Sequence, residues 1–307
     1  MADDSPCLRF GPVTVWLGEK SGKYPDGNQV IVQGADTTVA FDTPLVSHRI
    51  GPAFDGVDHV ILGHVHEDHM AGLARLPAHV PVQAHEADLA ALQSWEGLER
   101  HYGYSDEVLA GLKQRLVERF FYRSRPGATG YADGTRWSLG GGVTVQAVHL
   151  PGHTSGHCAL WVEPVGLAFI GDIDLSGFGP YYGDATSSLA DFRRTLAQVA
   201  TLPARTWVTS HHKGVITDRD TFDGLLRAFA ARLDERDARL LQLLAAGPLT
   251  LDELVRQRLV YQPDQEELWI DMAEARMIGQ HLDDLLAHGR VQATDDGRWM
   301  RVPGAAA

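Results

Sequence analysis

Residues 64–69 read His-Val-His-Glu-Asp-His, directly after the apolar run Val60-Ile61-Leu62-Gly63 and directly before Met70-Ala71-Gly72. A fold that accepts this stretch must end a buried strand at residue 62 and leave four metal-ligand side chains on the connection that follows. Imidazole and carboxylate donors in such density suit Zn, Fe or Mn. On an extended backbone His64 and His66, two apart, point the same way, whereas the neighbours Asp68 and His69 diverge. One pair therefore serves one metal and the next pair a second. Val65 and Glu67 are predicted to point away, Glu67 as a supporting or solvated acid, and a helix is predicted to begin after Met70.

Two metals need more ligands, and three later strand-like runs end in one. Val143-Thr144-Val145-Gln146-Ala147-Val148 leads into His149-Leu150-Pro151-Gly152-His153-Thr154-Ser155-Gly156-His157, where Pro and Gly force a turn that offers His153. Leu167-Ala168-Phe169-Ile170 ends in Gly171-Asp172, a carboxylate placed to bridge two cations. Thr206-Trp207-Val208-Thr209-Ser210 runs into His211-His212.

The ordered set His-x-His-x-Asp-His, Pro-Gly-His-Thr-x-Gly-His, Gly-Asp and Ser-His resembles the metallo-β-lactamase superfamily over residues 10–230, and Val39-Ala40-Phe41-Asp42-Thr43 resembles its first motif. The resemblance implies an α/β fold, an αββα sandwich with a dinuclear site at one edge. It implies that His64, His66 and His153 hold one metal, that Asp68, His69 and His211 hold the other, that Asp172 bridges them and that Asp42 supports the site. His211 is favoured over His212 because the family's ligand directly follows the small residue ending the strand. His149 and His157 are read as pinning the turn around His153. The implied cofactors are two divalent cations, zinc first, with iron and manganese as alternatives.

Subfamily signals narrow this further. Asp at 172, where penicillin-degrading zinc enzymes often have Cys or Ser, makes the set similar to glyoxalase II, lactonase and RNase Z relatives and disfavours β-lactam hydrolysis. Flavodiiron proteins put an acid where His66 stands. Persulfide dioxygenases, which use a single iron, share His64, His66 and His153.

Composition is that of a soluble globular chain: 307 residues, 44% apolar, with Cys7 and Cys158 as the sole cysteines. A disulfide framework is not expected. Met1-Ala2-Asp3-Asp4-Ser5 lacks the basic and apolar blocks of a signal peptide, and no apolar run approaches 18 residues, so a cytoplasmic location without membrane contact is expected. A formal charge of −13 argues against broad nucleic-acid binding. The expected partner is a small-molecule substrate, with a homodimer as the assembly considered.

The chain divides into a catalytic unit at 1–232 and a small unit at 233–307. Within the first, residues 86–136 carry apolar positions at helical spacing (Leu89, Leu92, Trp95, Leu98, then Leu109, Leu112, Leu116, Phe120) and form a helical insertion. Its aromatic and basic end, Phe120-Phe121-Tyr122-Arg123-Ser124-Arg125-Pro126, is read either as outer layer or as a lid over the site. The second unit reads as helix, break, capped helix at Thr250 and Glu253, longer helix, then strands 289–293 and 299–302 around Asp295-Asp296-Gly297. That order resembles a winged helix. Residues 236–303 hold 8 Arg, no Lys and 12 acids, so packing or dimerisation is expected of it rather than DNA binding.

The expected activity is that of a dinuclear metal-dependent hydrolase acting on a small ester, lactone or thioester through a metal-activated hydroxide. Asp68 is the candidate proton acceptor, and Tyr181 and Tyr182 are candidate donors to the oxyanion. The alternative is a phosphodiesterase or ribonuclease of the same fold. A mononuclear-iron persulfide dioxygenase and a non-catalytic binding module rank below it.

Overall fold

The computed structural model describes residues 6–303. Seven strands form the first sheet in sequence order: β1 (Cys7–Phe10), β2 (Val13–Trp16), β3 (Gln29–Gln33), β4 (Thr38–Phe41), β5 (His59–Ile61), β6 (Val82–His85) and β7 (Thr129–Tyr131). The first four pair antiparallel, and β4 to β7 run parallel. The second sheet takes β8 (Arg136–Ser138), β9 (Thr144–His149), β10 (Cys158–Glu163), β11 (Leu167–Phe169), β12 (Thr206–Val208) and β13 (Val215–Ile216), again in sequence order, with only β11 and β12 parallel.

Alternation along the strands builds the layers. Val39, Phe41 and Ile61 face inward and meet Val145, Leu160, Phe169 and Val208 of the other sheet, closing a core between the sheets. Their neighbours Ala40, Val60 and Leu62 face outward and pack beneath Leu92, Leu98, Leu109 and Leu116 of the helical insertion. On the far side Ala159, Ala168 and Trp207 are covered by Phe192, Phe222 and Phe229. Four layers result, helix, sheet, sheet, helix, as the sequence implied.

The helices depart from the sequence-based expectation in several places. A one-turn helix α1 spans Glu67–Met70, so Asp68 and His69 lie on it instead of on a loop preceding a helix after Met70. The insertion contributes α2 (Leu89–Gln93), α3 (Trp95–Tyr102) and α4 (Asp106–Phe120), with Ser94 and Ser105 accepting the N-cap bonds of the last two. The segment after α4 does not cover the site: Arg125 is drawn to the carbonyls of Leu73 and Leu76, and the Tyr122 ring packs on Trp95. It is outer layer.

Beyond α5 (Leu189–Val199), helix α6 runs unbroken from Arg219 to Leu244, straight through residue 232, where the sequence places a boundary. Its first half buries Phe222, Leu226, Phe229 and Leu233 in the second-sheet core, and its end buries Leu240, Leu241 and Leu244 in a separate C-terminal core. There they meet α7 (Leu251–Arg256), whose Thr250–Glu253 capping box is formed, α8 (Ile270–Ala287) and the hairpin β14 (Val291–Ala293) with β15 (Trp299–Arg301). Among the described residues no helix is long and apolar enough to cross a membrane.

Candidate active site

The C-terminal ends of β4, β5, β11 and β12 converge on one edge of the sandwich, and each runs into an acid or a histidine. β4 ends at Asp42, which takes the left-handed backbone (φ 54°) and so turns its carboxylate back under the site. The turn after β9 depends on Gly152 (φ 135°), where a Cβ would lie 2.4 Å from the Phe192 backbone.

Donor atoms of His64, His66, His153 and Asp172 lie within 4.8 Å of one another, and so do those of Asp68, His69 and His211. Asp172 stands between the groups: its carboxylate is 3.3 Å from His153 Nε2, 3.1 Å from His69 Nε2 and 3.5 Å from His211 Nε2. His211 Nε2 is 3.0 Å from Asp68. His212, with its Nε2 3.7 Å from Asp174, faces the cavity instead of the donor cluster. His149 bonds the Ser155 carbonyl, while His157 donates to Leu150 O and accepts the Asp172 N–H, so both pin backbone.

Four of the five candidate ligand rings, all but His64, are oriented from behind. His69 Nδ1 donates to Asp42 at 2.7 Å, and the same carboxylate accepts the Gly63 N–H. His66 Nε2 donates to Asp184 at 2.8 Å, leaving Nδ1 toward the site. His153 Nδ1 donates to Tyr181 O at 3.0 Å, and His211 Nδ1 to the carbonyls of Gly22 and Asp26. Such partners fix the tautomer and direction of a metal-binding imidazole.

The donor set fits divalent metal. Both nitrogens of His64, Nε2 of His69 and of His211, and Oδ1 of Asp172 are buried without a hydrogen-bond partner, an arrangement that costs free energy unless a cation completes it. The electrostatics agree. Burial, then His69, holds His64 well below the usual imidazole range, keeping it neutral as a ligand must be. Burial would raise Asp172, but His69 and then His211 outweigh it and hold the carboxyl well below its ordinary value. Burial likewise opposes protonation of His211, yet Asp172 and Asp68 push it up to about 10. Positive charge is what these carboxylates require.

The two tyrosines part company. Tyr181 lines the cavity over the donor cluster, its hydroxyl 3.0 Å from that of Tyr104. Tyr182 does not: it is fully buried on the opposite side, bonded to His281 Nε2 at 2.5 Å and to Arg236 at 2.9 Å, so it cannot donate to a reacting oxygen. Adjacent side chains on an extended segment point opposite ways, which is why only one of the pair reaches the site.

Several participants carry no local sequence signal. Asp184 is one. Glu67, outside both donor groups, accepts the hydroxyls of Tyr24 (3.0 Å) and Tyr102 (2.5 Å) and lines a cavity of about 460 Å³ above Asp172. Tyr102 and Tyr104 come from the helical insertion, and Tyr261 and Trp269 from the C-terminal segment. Of these two regions the sequence places only the insertion at the site, and through its other end.

A sandwich of two mixed sheets with paired His/Asp donor groups on one edge defines the class of metallo-hydrolase-like αββα proteins. The model of the metallo-beta-lactamase superfamily matches residues 34–211, and the chain belongs to that superfamily. It is 26% identical over 239 residues to a hydroxyacylglutathione hydrolase of Methylococcus capsulatus, covering 75% of this chain and 78% of that one. It is 25% identical to an atrochrysone carboxyl ACP thioesterase of Claviceps purpurea, covering 87% and 72%. Among solved structures, a metallo-beta-lactamase family protein of Thermus thermophilus superposes with a TM-score of 0.63 at 26% identity, covering 90% of this chain and 94% of that one.

Proposed function

We propose that the protein is a dinuclear metal-dependent hydrolase of a small ester, lactone or thioester. The observation that carries this reading is the placement of Asp172 between two donor groups on the floor of a cavity. The names of the two relatives, an acylglutathione hydrolase and an ACP thioesterase, support hydrolysis of an acyl group. His64, His66 and His153 would hold one cation, Asp68, His69 and His211 the other, with Asp172 shared. Divalent metals so held lower the pKa of a water toward about 7 and polarise the carbonyl it attacks.

The chain's own groups do the rest. Asp68, which with Asp172 flanks His211 Nε2 at 3.0 and 3.5 Å, accepts the proton released when water attacks. Burial and Asp184 hold the Tyr181 phenol well above its ordinary range, so it keeps its proton, which it gives to Asp184 at 3.3 Å in this structure and would give to the developing oxyanion once substrate draws the hydroxyl away. The C-terminal segment, whose helices and hairpin resemble a winged helix, serves as cavity wall and packing surface.

Elemental analysis coupled to a panel of lactones, thioesters and phosphodiesters tests this reading. Turnover of a thioester or lactone with two bound metals is expected, and loss of it in His66→Ala and Asp172→Ala. Full activity in either variant, or cleavage of phosphodiesters alone, would sink it.

A further inference from the structure

Charge and aromatic character are unevenly distributed over the cavity. Its upper walls are rings: Tyr24, Tyr102, Tyr104, Tyr181, Tyr261 and Trp269. Four of these hydroxyls are already tied back, Tyr24 and Tyr102 to Glu67, Tyr104 and Tyr181 to Asp184, so the rings offer faces and edges more than free donors. Among the described residues the lining has a single Lys or Arg, Lys23, beside Glu67, Asp174, Asp184 and Glu267 in addition to the metal-site acids. Glu267 is paired with Arg115 and Asp184 with His66, so much of the lining's charge is matched and its distinguishing feature is its rings.

The distal wall is held rigidly. Glu274, fully buried, accepts the consecutive N–H groups of Leu259, Val260 and Tyr261 at 3.1, 3.0 and 2.8 Å, which fixes Tyr261 over the cavity. Trp269 is braced by the Arg115 guanidinium, 4.8 Å from its ring centroid, while that arginine is paired with Glu267. Rigid aromatic walls at little entropic cost are how small cavities select flat apolar groups.

Resting on the hydrolase reading above, we propose that the substrate carries a flat, ring-bearing acyl group that packs against Tyr261 and Trp269. Tyr261 and Trp269 are specificity-determining residues, and Glu274 is a positioning residue for the first of them.

The test uses the full-length, metal-loaded protein and thioesters of one neutral carrier, N-acetylcysteamine, with 2-naphthoyl, lactoyl and succinyl groups, plus lactoylglutathione. The naphthoyl thioester is expected to show kcat/KM at least about tenfold above the others, and Trp269→Leu and Tyr261→Leu to lower the naphthoyl-to-lactoyl ratio by about tenfold. A best rate on succinyl or lactoylglutathione, or variants that leave the ratio unmoved, would overturn the proposal. Binding of 2-naphthamide, followed by tryptophan fluorescence, is read in parallel. If it binds, and Trp269→Leu weakens it about tenfold, while no thioester is cleaved, the cavity assignment stands and the hydrolase reading fails. If thioesters are cleaved with no naphthamide binding and no aromatic preference, the hydrolase reading stands and the cavity assignment fails.

Discussion

His66 and His153 lean on Asp184 and on the carbonyl of Tyr181, whereas His69 and His211 lean on Asp42 and on the carbonyls of Gly22 and Asp26. The second pair is thus braced by the N-terminal third of the chain. The first pair is braced by the 178–184 loop, and that loop is gripped by the C-terminal segment. Arg276 donates to the carbonyls of Tyr102, Gly103 and Gly183, Arg236 to those of Phe178 and Pro180, and Gln280 to that of Tyr182. Two donor groups that look equivalent in the sequence share Asp172 but are braced from different parts of the chain, and among the described residues only the first is braced through residues beyond 232.

This contrast can be broken by experiment. The largest effect is expected from Asp172→Ala, which removes the carboxylate shared by both groups: hydrolysis should fall by about a thousandfold or more, and elemental analysis should find fewer than two metals per chain. Next, Asp184→Asn and Asp42→Asn should each weaken one step of a metal titration by about 10–100-fold, the former the His66/His153 step and the latter the His69/His211 step. If both substitutions weaken the same step, the halves are not independent. A smaller loss, about tenfold, is expected from Arg276→Met, again confined to the His66/His153 step, with about 1–3 kcal/mol lost in chemical denaturation because three carbonyls lose their donor. The smallest effect is expected from Tyr122→Phe. Its hydroxyl has no partner, so kinetic constants should stay within about twofold of the parent; a change in substrate preference would restore the lid to the outer segment.

What the sequence disclosed and what it hid follow from how far apart the partners lie. The strands and the ligands at their ends are local: Val60-Ile61-Leu62 followed by His64 and His66 announces both strand and site within a few residues. The brace behind His66 is Asp184, 118 residues away, and nothing near Asp184 marks it as different from a surface acid. Glu67 stands inside the conspicuous motif, but its two tyrosine partners come from positions 24 and 102 and could not be read beside it. The one-turn helix at Glu67–Met70 was hidden for another reason, since four residues are too few for helical periodicity to show. Tyr181 and Tyr182 were indistinguishable because the backbone direction that separates them is set by Arg236, Gln280 and His281, all more than 50 residues later.

Helix α6 has a consequence for how the molecule comes apart. Because one uninterrupted rod of 26 residues contributes Phe229 and Leu233 to one core and Leu240 and Leu244 to another, neither core can melt without fraying the helix that the other needs. Heat or denaturant should therefore take the whole chain through one cooperative transition, and a protease acting on the native protein should find no hinge at residue 232 from which to release two stable fragments.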